Sequence, residues 1–277
     1  MMRIIAFPGG ATVPALGQGT WNMGEKPSRR AAETEALRAG IDLGMTLIDT
    51  AEMYGDGATE ELLGEALKGL RNRVFLVSKV YPHNAGGKKL QQACEGSLKR
   101  LKTDRLDLYL LHWMGSIPLA ETVAGMEALK ASGKIRAWGV SNLDLADMKK
   151  LNQAGGRNCA TDQVLYNVSR RGIEFDLLPA LAGEGISVMA YSPVEQGRLP
   201  QGGALQTVAG RHGVTPYQVA LAWVLRNPGV IAIPKAADVK HVRENRAAAD
   251  LELTAEDLAA IDAAFPPPRR KTALAML

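Results

Sequence analysis

Four side chains of the 277-residue sequence, Asp49, Tyr54, Lys79 and His112, are of the types needed to hand a proton to a carbonyl oxygen. A tyrosine hydroxyl titrates near about 10 in water, too high for efficient proton exchange at neutral pH. A neighbouring ammonium would stabilise the phenolate and lower that value, and Lys79 is the candidate. Asp49 can supply the counter-charge that a lysine drawn out of water needs. His112 can then hydrogen-bond a carbonyl oxygen and fix its orientation. Each residue also has an ordinary reading: Asp49 and Lys79 as a structural ion pair, Tyr54 as a packing tyrosine, His112 as a satisfied core histidine. Only the set points to chemistry, and it requires elements that bring distant residues to one place.

Short apolar runs alternate with longer amphipathic segments along the chain. Strands are expected at 15–19, 45–49, 74–79, 106–111, 135–140, 159–163, 186–190 and 230–233. They are continuous apolar runs rather than alternations, as parallel strands covered on both faces should be. Leu62, Leu63, Ala66, Leu67 and Leu70 form one helical stripe, and Leu90, Cys94, Leu98 and Leu101 another. Thr215, Pro216 and Gln218 read as N-cap, first-turn proline and capping partner, and Thr254 with Asp257 marks another helix start. Eight strand-then-helix units predict an α/β chain folded as one (β/α)8 TIM barrel domain over residues 1–277. No proline- or serine-rich linker divides it. The first strand ends in Gly17-Gln18-Gly19, without the third glycine of a dinucleotide fingerprint, which argues against a doubly wound sheet. Residues 4–13, around Gly9 and Gly10, read as a β-hairpin ahead of the barrel, a plug for its base.

Such a barrel carries its chemistry at the C-terminal ends of the strands. The second run closes on Asp49, the third on Lys79 and the fourth on His112 and Trp113. The fifth closes on Ser141 and Asn142, the sixth on Gln163, the seventh on Tyr191 and Ser192, and the eighth on Pro234 and Lys235. One polar strand end is an ordinary loop residue; seven in succession on one rim are not.

Bulk composition narrows the partners. With 46% hydrophobic and 22% charged residues, a full core is available and no disordered segment is forced. The net charge of +4 comes from scattered basic pairs such as Arg29-Arg30 and Lys149-Lys150 without interleaved aromatics. That pattern suits a solvated surface, not a nucleic-acid face, and mildly favours an anionic cofactor. Cys94 and Cys159 read as buried free thiols. No secretory leader and no apolar run of membrane-spanning length stand in the sequence, so a reducing cytoplasm and no membrane partner are expected.

At residues 43–55, 77–79, 106–113, 133–142, 163–167, 190–193 and 231–235 the sequence closely resembles the aldo-keto reductase family, in one order along nearly the whole chain. The resemblance implies a catalytic tetrad of Asp49, Tyr54, Lys79 and His112. In it Tyr54 donates the proton, Lys79 lowers its pKa, Asp49 supports Lys79, and His112 orients the carbonyl. It further implies that hydride comes from a nicotinamide cofactor. Ser141, Asn142 and Gln163 match residues that hydrogen-bond the carboxamide, and Tyr191 matches the aromatic that stacks on the nicotinamide ring. Thr20 and Trp21 match the pocket wall, Thr20 counted with the cofactor contacts and Trp21, with Trp113, as lining the substrate pocket. The loop at 192–198, Ser192 included, would carry pyrophosphate contacts. Lys235 matches the 2′-phosphate lysine, and Glu244 with Asn245 the adenine contacts.

Two neighbours depart from the family pattern: Ala236 stands where many members have serine, and His241 where many have arginine. A neutral histidine brings less charge and no fork. The implied cofactor is NADPH, with NADH as a second donor. Short segments after His112 and after Ala264 imply an open pocket of modest selectivity. They are similar to bacterial members acting on small reactive carbonyls such as methylglyoxal, in a monomer or weak homodimer. Two other readings share these residues: a Schiff-base aldolase with Lys79 as nucleophile, and a barrel that binds NADPH without turnover.

Overall fold

The computed structural model describes residues 2–7, 10–200 and 203–277. A two-stranded antiparallel hairpin comes first, β1 (Ile4–Ala6) against β2 (Thr12–Pro14), with Ile5 opposite Val13. The expected turn at Gly9 lies outside the described residues. Eight parallel strands follow: β3 (Gln18–Gly19), β4 (Leu47–Asp49), β5 (Phe75–Val80), β6 (Leu106–Leu111), β7 (Ile135–Ser141), β8 (Thr161–Leu165), β9 (Ser187–Tyr191) and β10 (Val230–Ala232). They pair in chain order. The two edges then meet: Gly17 N–H donates to Ala232 O at 2.8 Å, Ala232 N–H to Ala15 O at 2.8 Å, and Gly19 N–H to Pro234 O at 3.0 Å. Those bonds close the sheet into the expected barrel.

Ten helices are seen among the described residues: α1 (Arg30–Asp42), α2 (Ala58–Ala66), α3 (Gly87–Arg100), α4 (Leu119–Ala131), α5 (Leu145–Gln153), α6 (Leu177–Gly183), α7 (Gly203–His212), α8 (Pro216–Leu225), α9 (Val239–Ala248) and α10 (Ala255–Ala264). Both capping boxes read from the sequence are formed, Thr215 with Gln218 and Thr254 with Asp257. Each satisfies N-terminal amides that the helix itself cannot bond. The stripe of Leu90, Cys94 and Leu98 faces the core from α3. The hairpin plugs the N-terminal end: Phe7 packs on Phe75, the first residue of β5, and Arg3 donates to Asn227 O just before β10.

Several boundaries differ from expectation for local reasons. The first two strands are shorter than their apolar runs, because only Gln18–Gly19 and Leu47–Asp49 pair on the β3–β4 and β4–β5 ladders, the residues before Gln18 meeting β10 through the isolated Leu16–Ala232 bridge. Cys159 precedes β8, which runs on to Leu165. Leu67 caps α2 and Leu70 lies beyond it, where Gly69 adopts a φ of 79° that ends the helical path. The helix α7 was not foreseen; it packs on α8 and α10 outside the barrel ring. Among the described residues no helix is long and apolar enough to cross a membrane.

Candidate active site

Parallel register sets the geometry of the C-terminal rim. Asp49 pairs with Val77, and Lys79 lies two residues further along β5, so both side chains share one face of the sheet. Lys79 Nζ donates to Asp49 Oδ2 at 2.7 Å and to Thr50 O at 2.8 Å, and both side chains are buried. Its third hydrogen bond, 3.1 Å long, goes to the hydroxyl of Tyr54. Tyr54 opens a short turn after β4 in which Gly55 and Asp56 have positive φ, folding the ring back over the barrel mouth.

Burial works against the Lys79 charge, but Asp49 and then Tyr54 outweigh it and hold the ammonium above its ordinary pKa. Tyr54 departs from the sequence expectation. Burial raises its hydroxyl, Lys79 pulls it back only part of the way, and the net direction is up. Tyr54 is therefore a neutral phenol at neutral pH, the form with a proton to give.

His112 follows β6 and sets its ring 5.9 Å from that of Tyr54, edge to face. Burial first, and the Lys79 charge second, push its pKa down to about 2, so the imidazole is neutral. Its Nδ1 is buried without a hydrogen-bond partner among the described residues. Trp21 packs against Tyr54 at 5.3 Å and Trp113 against His112 at 4.9 Å. The two indoles thus flank the pair.

The remaining rim residues are wired together. Gln163 Nε2 donates to Asp49 Oδ1 at 2.8 Å, and Ser141 Oγ to Gln163 O at 2.8 Å. Asn142, at a φ of 60°, donates to His112 O and accepts the Tyr191 hydroxyl at 3.0 Å. Asparagine is one of the few residues that tolerates this left-handed backbone. Thr20 Oγ1 donates to Asp49 O at 2.8 Å. Ser192, at a φ of 47°, begins a loop pinned by Asn167, which reaches Ser192 O and Glu195, and by Arg170, which pairs with Glu195 at 3.0 Å.

Thr20, Trp21, Asp49, Tyr54, His112, Trp113, Ser141, Asn142, Gln163, Tyr191 and Ser192 line one cavity of about 940 Å3, with Lys79 buried behind it. It runs from Trp21, Tyr54 and His112, past Ser192 to Gly197, to Lys235, His241, Glu244 and Asn245. That volume is large enough for a sizeable organic ligand at the barrel mouth. Residues 15–265 match the Aldo/keto reductase family. The chain belongs to that family.

Relatives within the family are near. Over 281 residues the chain is 57% identical to the methylglyoxal reductase YeaE of Escherichia coli, covering 99% of both chains. An aldo-keto reductase of Klebsiella pneumoniae in complex with NADPH superposes with a TM-score of 0.98 at 55% identity over the whole of both chains. An aldo/keto reductase of the same organism in complex with NADP and acetate gives 0.97 at 54%, again over both whole chains.

Every residue singled out from the sequence comes to this cavity or directly behind it. Others on its wall were missed. Arg29 ends the short 3-10 turn that leads into α1 and Met53 lies in the turn after β4, segments whose path periodicity does not reveal. Met276 and Leu277 reach the mouth although the segment after Ala264 is short. Lys271 stands between Asp144 at 3.6 Å and Asp176 at 3.4 Å, which leads that segment back over the barrel. The pocket is thus less open than loop length suggested.

Proposed function

We propose that this chain reduces small aldehydes such as methylglyoxal to alcohols with NADPH, and that Tyr54 supplies the proton. The observation that carries the reading is the chain of contacts Asp49–Lys79–Tyr54, at 2.7 and 3.1 Å, buried at the barrel mouth and facing the cavity beside His112. Bound NADPH would supply hydride to the carbonyl carbon, the two-electron half of the reduction. The residues of the chain handle the proton. The neutral imidazole of His112 hydrogen-bonds the carbonyl oxygen and holds it near the Tyr54 hydroxyl. Tyr54 gives its proton to that oxygen as negative charge develops there, and the Lys79 ammonium stabilises the phenolate left behind. Asp49 keeps Lys79 charged and in place. Ser141, Asn142 and Gln163 would hydrogen-bond the carboxamide, Tyr191 would stack on the nicotinamide ring, and Lys235, Glu244 and Asn245 would hold the adenosine end.

Support comes from the fit of the cavity and from relatives that bind NADPH or reduce methylglyoxal. One continuous hydrophobic core favours treating residues 1–277 as one domain. A Schiff-base role for Lys79 is disfavoured, because Asp49 and Tyr54 hold it protonated and a nucleophilic amine must be neutral. The test is NADPH oxidation with methylglyoxal by wild type and by Tyr54→Phe. Turnover that falls by orders of magnitude in the variant supports the assignment. Equal rates would remove Tyr54 as donor, and no turnover despite tight NADPH binding would favour a binding protein.

A further inference from the structure

We propose that Arg29, acting with Lys235, grips the adenosine 2′-phosphate of the cofactor, and that His241 is not the second cation of that site. The inference rests on the NADPH reading above and extends it to a residue outside the family pattern quoted from the sequence.

The barrel seam brings the two cations together. The Gly19–Pro234 hydrogen bond joins the end of the first barrel strand to the end of the last, and the helices that follow, α1 and α9, pack on each other. Arg29 is the N-cap residue of α1, and Lys235 lies three residues beyond β10. Both line the cavity, as do His241, Glu244 and Asn245, and the charge of Arg29 is close enough to act on Lys235.

Neither cation has a close hydrogen-bonded carboxylate among the described residues. The Lys235 ammonium makes no hydrogen bond or ion pair with any described residue. Burial lowers its pKa, the charge of Arg29 is the next cause, and the carboxylates of Glu33, Asp238 and Glu25 offset part of that. Arg29 has one carboxylate within reach among the described residues, Glu33 at 3.9 Å, whose other oxygen already accepts Gly24 N–H at 2.8 Å. Two cations that repel each other while lining one cavity, neither closely paired, are arranged for a multiply charged anion. A guanidinium beside an ammonium supplies both the fork and the point charge that a phosphate monoester takes.

His241 is differently placed. Its Nδ1 lies 2.7 Å from Asp238 Oδ2, its backbone N–H is bonded to Asp238 Oδ1 at 2.9 Å, and its Nε2 is 3.9 Å from Glu244. Two carboxylates face its ring, so this position offers little net positive charge to a phosphate.

Equilibrium titrations with NADPH, NADH, adenosine 2′,5′-bisphosphate and 5′-AMP test this, using wild type, Arg29→Gln and His241→Gln. Arg29→Gln should weaken NADPH and the bisphosphate by about ten- to a hundredfold, the worth of a charged hydrogen bond. NADH and AMP should stay within about twofold, the margin of a group making no direct contact. His241→Gln should change the NADPH-to-NADH preference by less than about threefold. Unchanged NADPH affinity in Arg29→Gln would overturn the proposal. Equal weakening of NADH would overturn it as well, by assigning Arg29 to the pyrophosphate. A wild type that binds neither dinucleotide would instead defeat the cofactor reading on which the proposal rests.

Discussion

Gln163 and Lys79 hold opposite oxygens of one carboxylate: Gln163 Nε2 is 2.8 Å from Asp49 Oδ1, and Lys79 Nζ is 2.7 Å from Asp49 Oδ2. The residue expected to face the carboxamide therefore also sets the angle at which Asp49 presents itself to the ammonium. Gln163→Met keeps the bulk and removes the donor. Turnover should fall about tenfold, the worth of one buried hydrogen bond, and steady-state kinetics with saturating NADPH would show it. An unchanged kcat with only a raised cofactor KM would confine Gln163 to cofactor binding.

The Asp49–Lys79 pair is fully buried, so removing either partner strands a charge. Lys79→Met should lower stability by about 3–5 kcal/mol and abolish measurable turnover. Combining it with Asp49→Asn should recover much of the lost stability without restoring activity, because two neutral side chains leave no orphaned ion. Thermal melts and assays on the single and double variants separate the structural role of the pair from its chemical one.

His112 should leave no mark on the pH–rate profile near its usual range, because its pKa is pushed down to about 2. Between about pH 5 and about pH 8, kcat/KM should show no inflection that disappears in His112→Gln. Stability carries the complementary sign. As pH falls below about 6.5 the unfolded chain takes up a proton that the folded imidazole refuses, so this residue erodes stability toward acid. Chemical denaturation at a series of pH values would show a shallower acid slope in His112→Gln.

Asp162 on β8 has the opposite dependence. Both carboxylate oxygens are buried, and burial raises its pKa well above the ordinary value of 3.8, with the backbone N–H of Leu143 offsetting only part of that rise. The folded protein keeps a proton that the unfolded chain gives up, so stability declines as pH rises above about 4. Asp162→Asn removes that dependence. The variant should melt higher than wild type at neutral pH, with a gap that narrows toward acid. A lower melting temperature at every pH would show that the carboxyl is doing something an amide cannot.

Two helical glycines should respond to alanine in opposite ways. At Gly64 in α2 an added methyl would stand 2.4 Å from the carbonyl oxygen of Arg100, a backbone atom with no rotamer to escape into. At Gly210 in α7 no atom of the described residues outside the helix's own backbone lies within 4 Å. Gly64→Ala should cost about 1–3 kcal/mol, whereas Gly210→Ala should gain up to about 1 kcal/mol from helix propensity. Denaturant midpoints measured in parallel would settle both.

The barrel was legible because buried parallel strands are continuous apolar runs, and the polar residue ending each run marked the rim. The capping boxes at Thr215 and Thr254 were legible because they are local chemistry. What escaped were matters of path and of balance. Arg29 sits among basic residues that composition reads as surface, and only the β3–β10 seam brings it beside Lys235. The approach of Met276 and Leu277 to the cavity depends on a segment without periodicity. The raised pKa of Tyr54 follows from how deeply the ring is buried, which residue spacing does not encode.

The seam has a consequence for synthesis on the ribosome. Gly17 and Gly19 are made early and their partners Ala232 and Pro234 more than two hundred residues later. Until the last strand emerges, β3 is an open edge exposed to any other strand it meets. Asp49 and Lys79 can pair long before then, but the phosphate end of the cavity does not exist. Asp49, Tyr54, Lys79 and His112 are therefore made long before Lys235, Glu244 and Asn245, and a chain stalled between them would carry an unpaired strand edge.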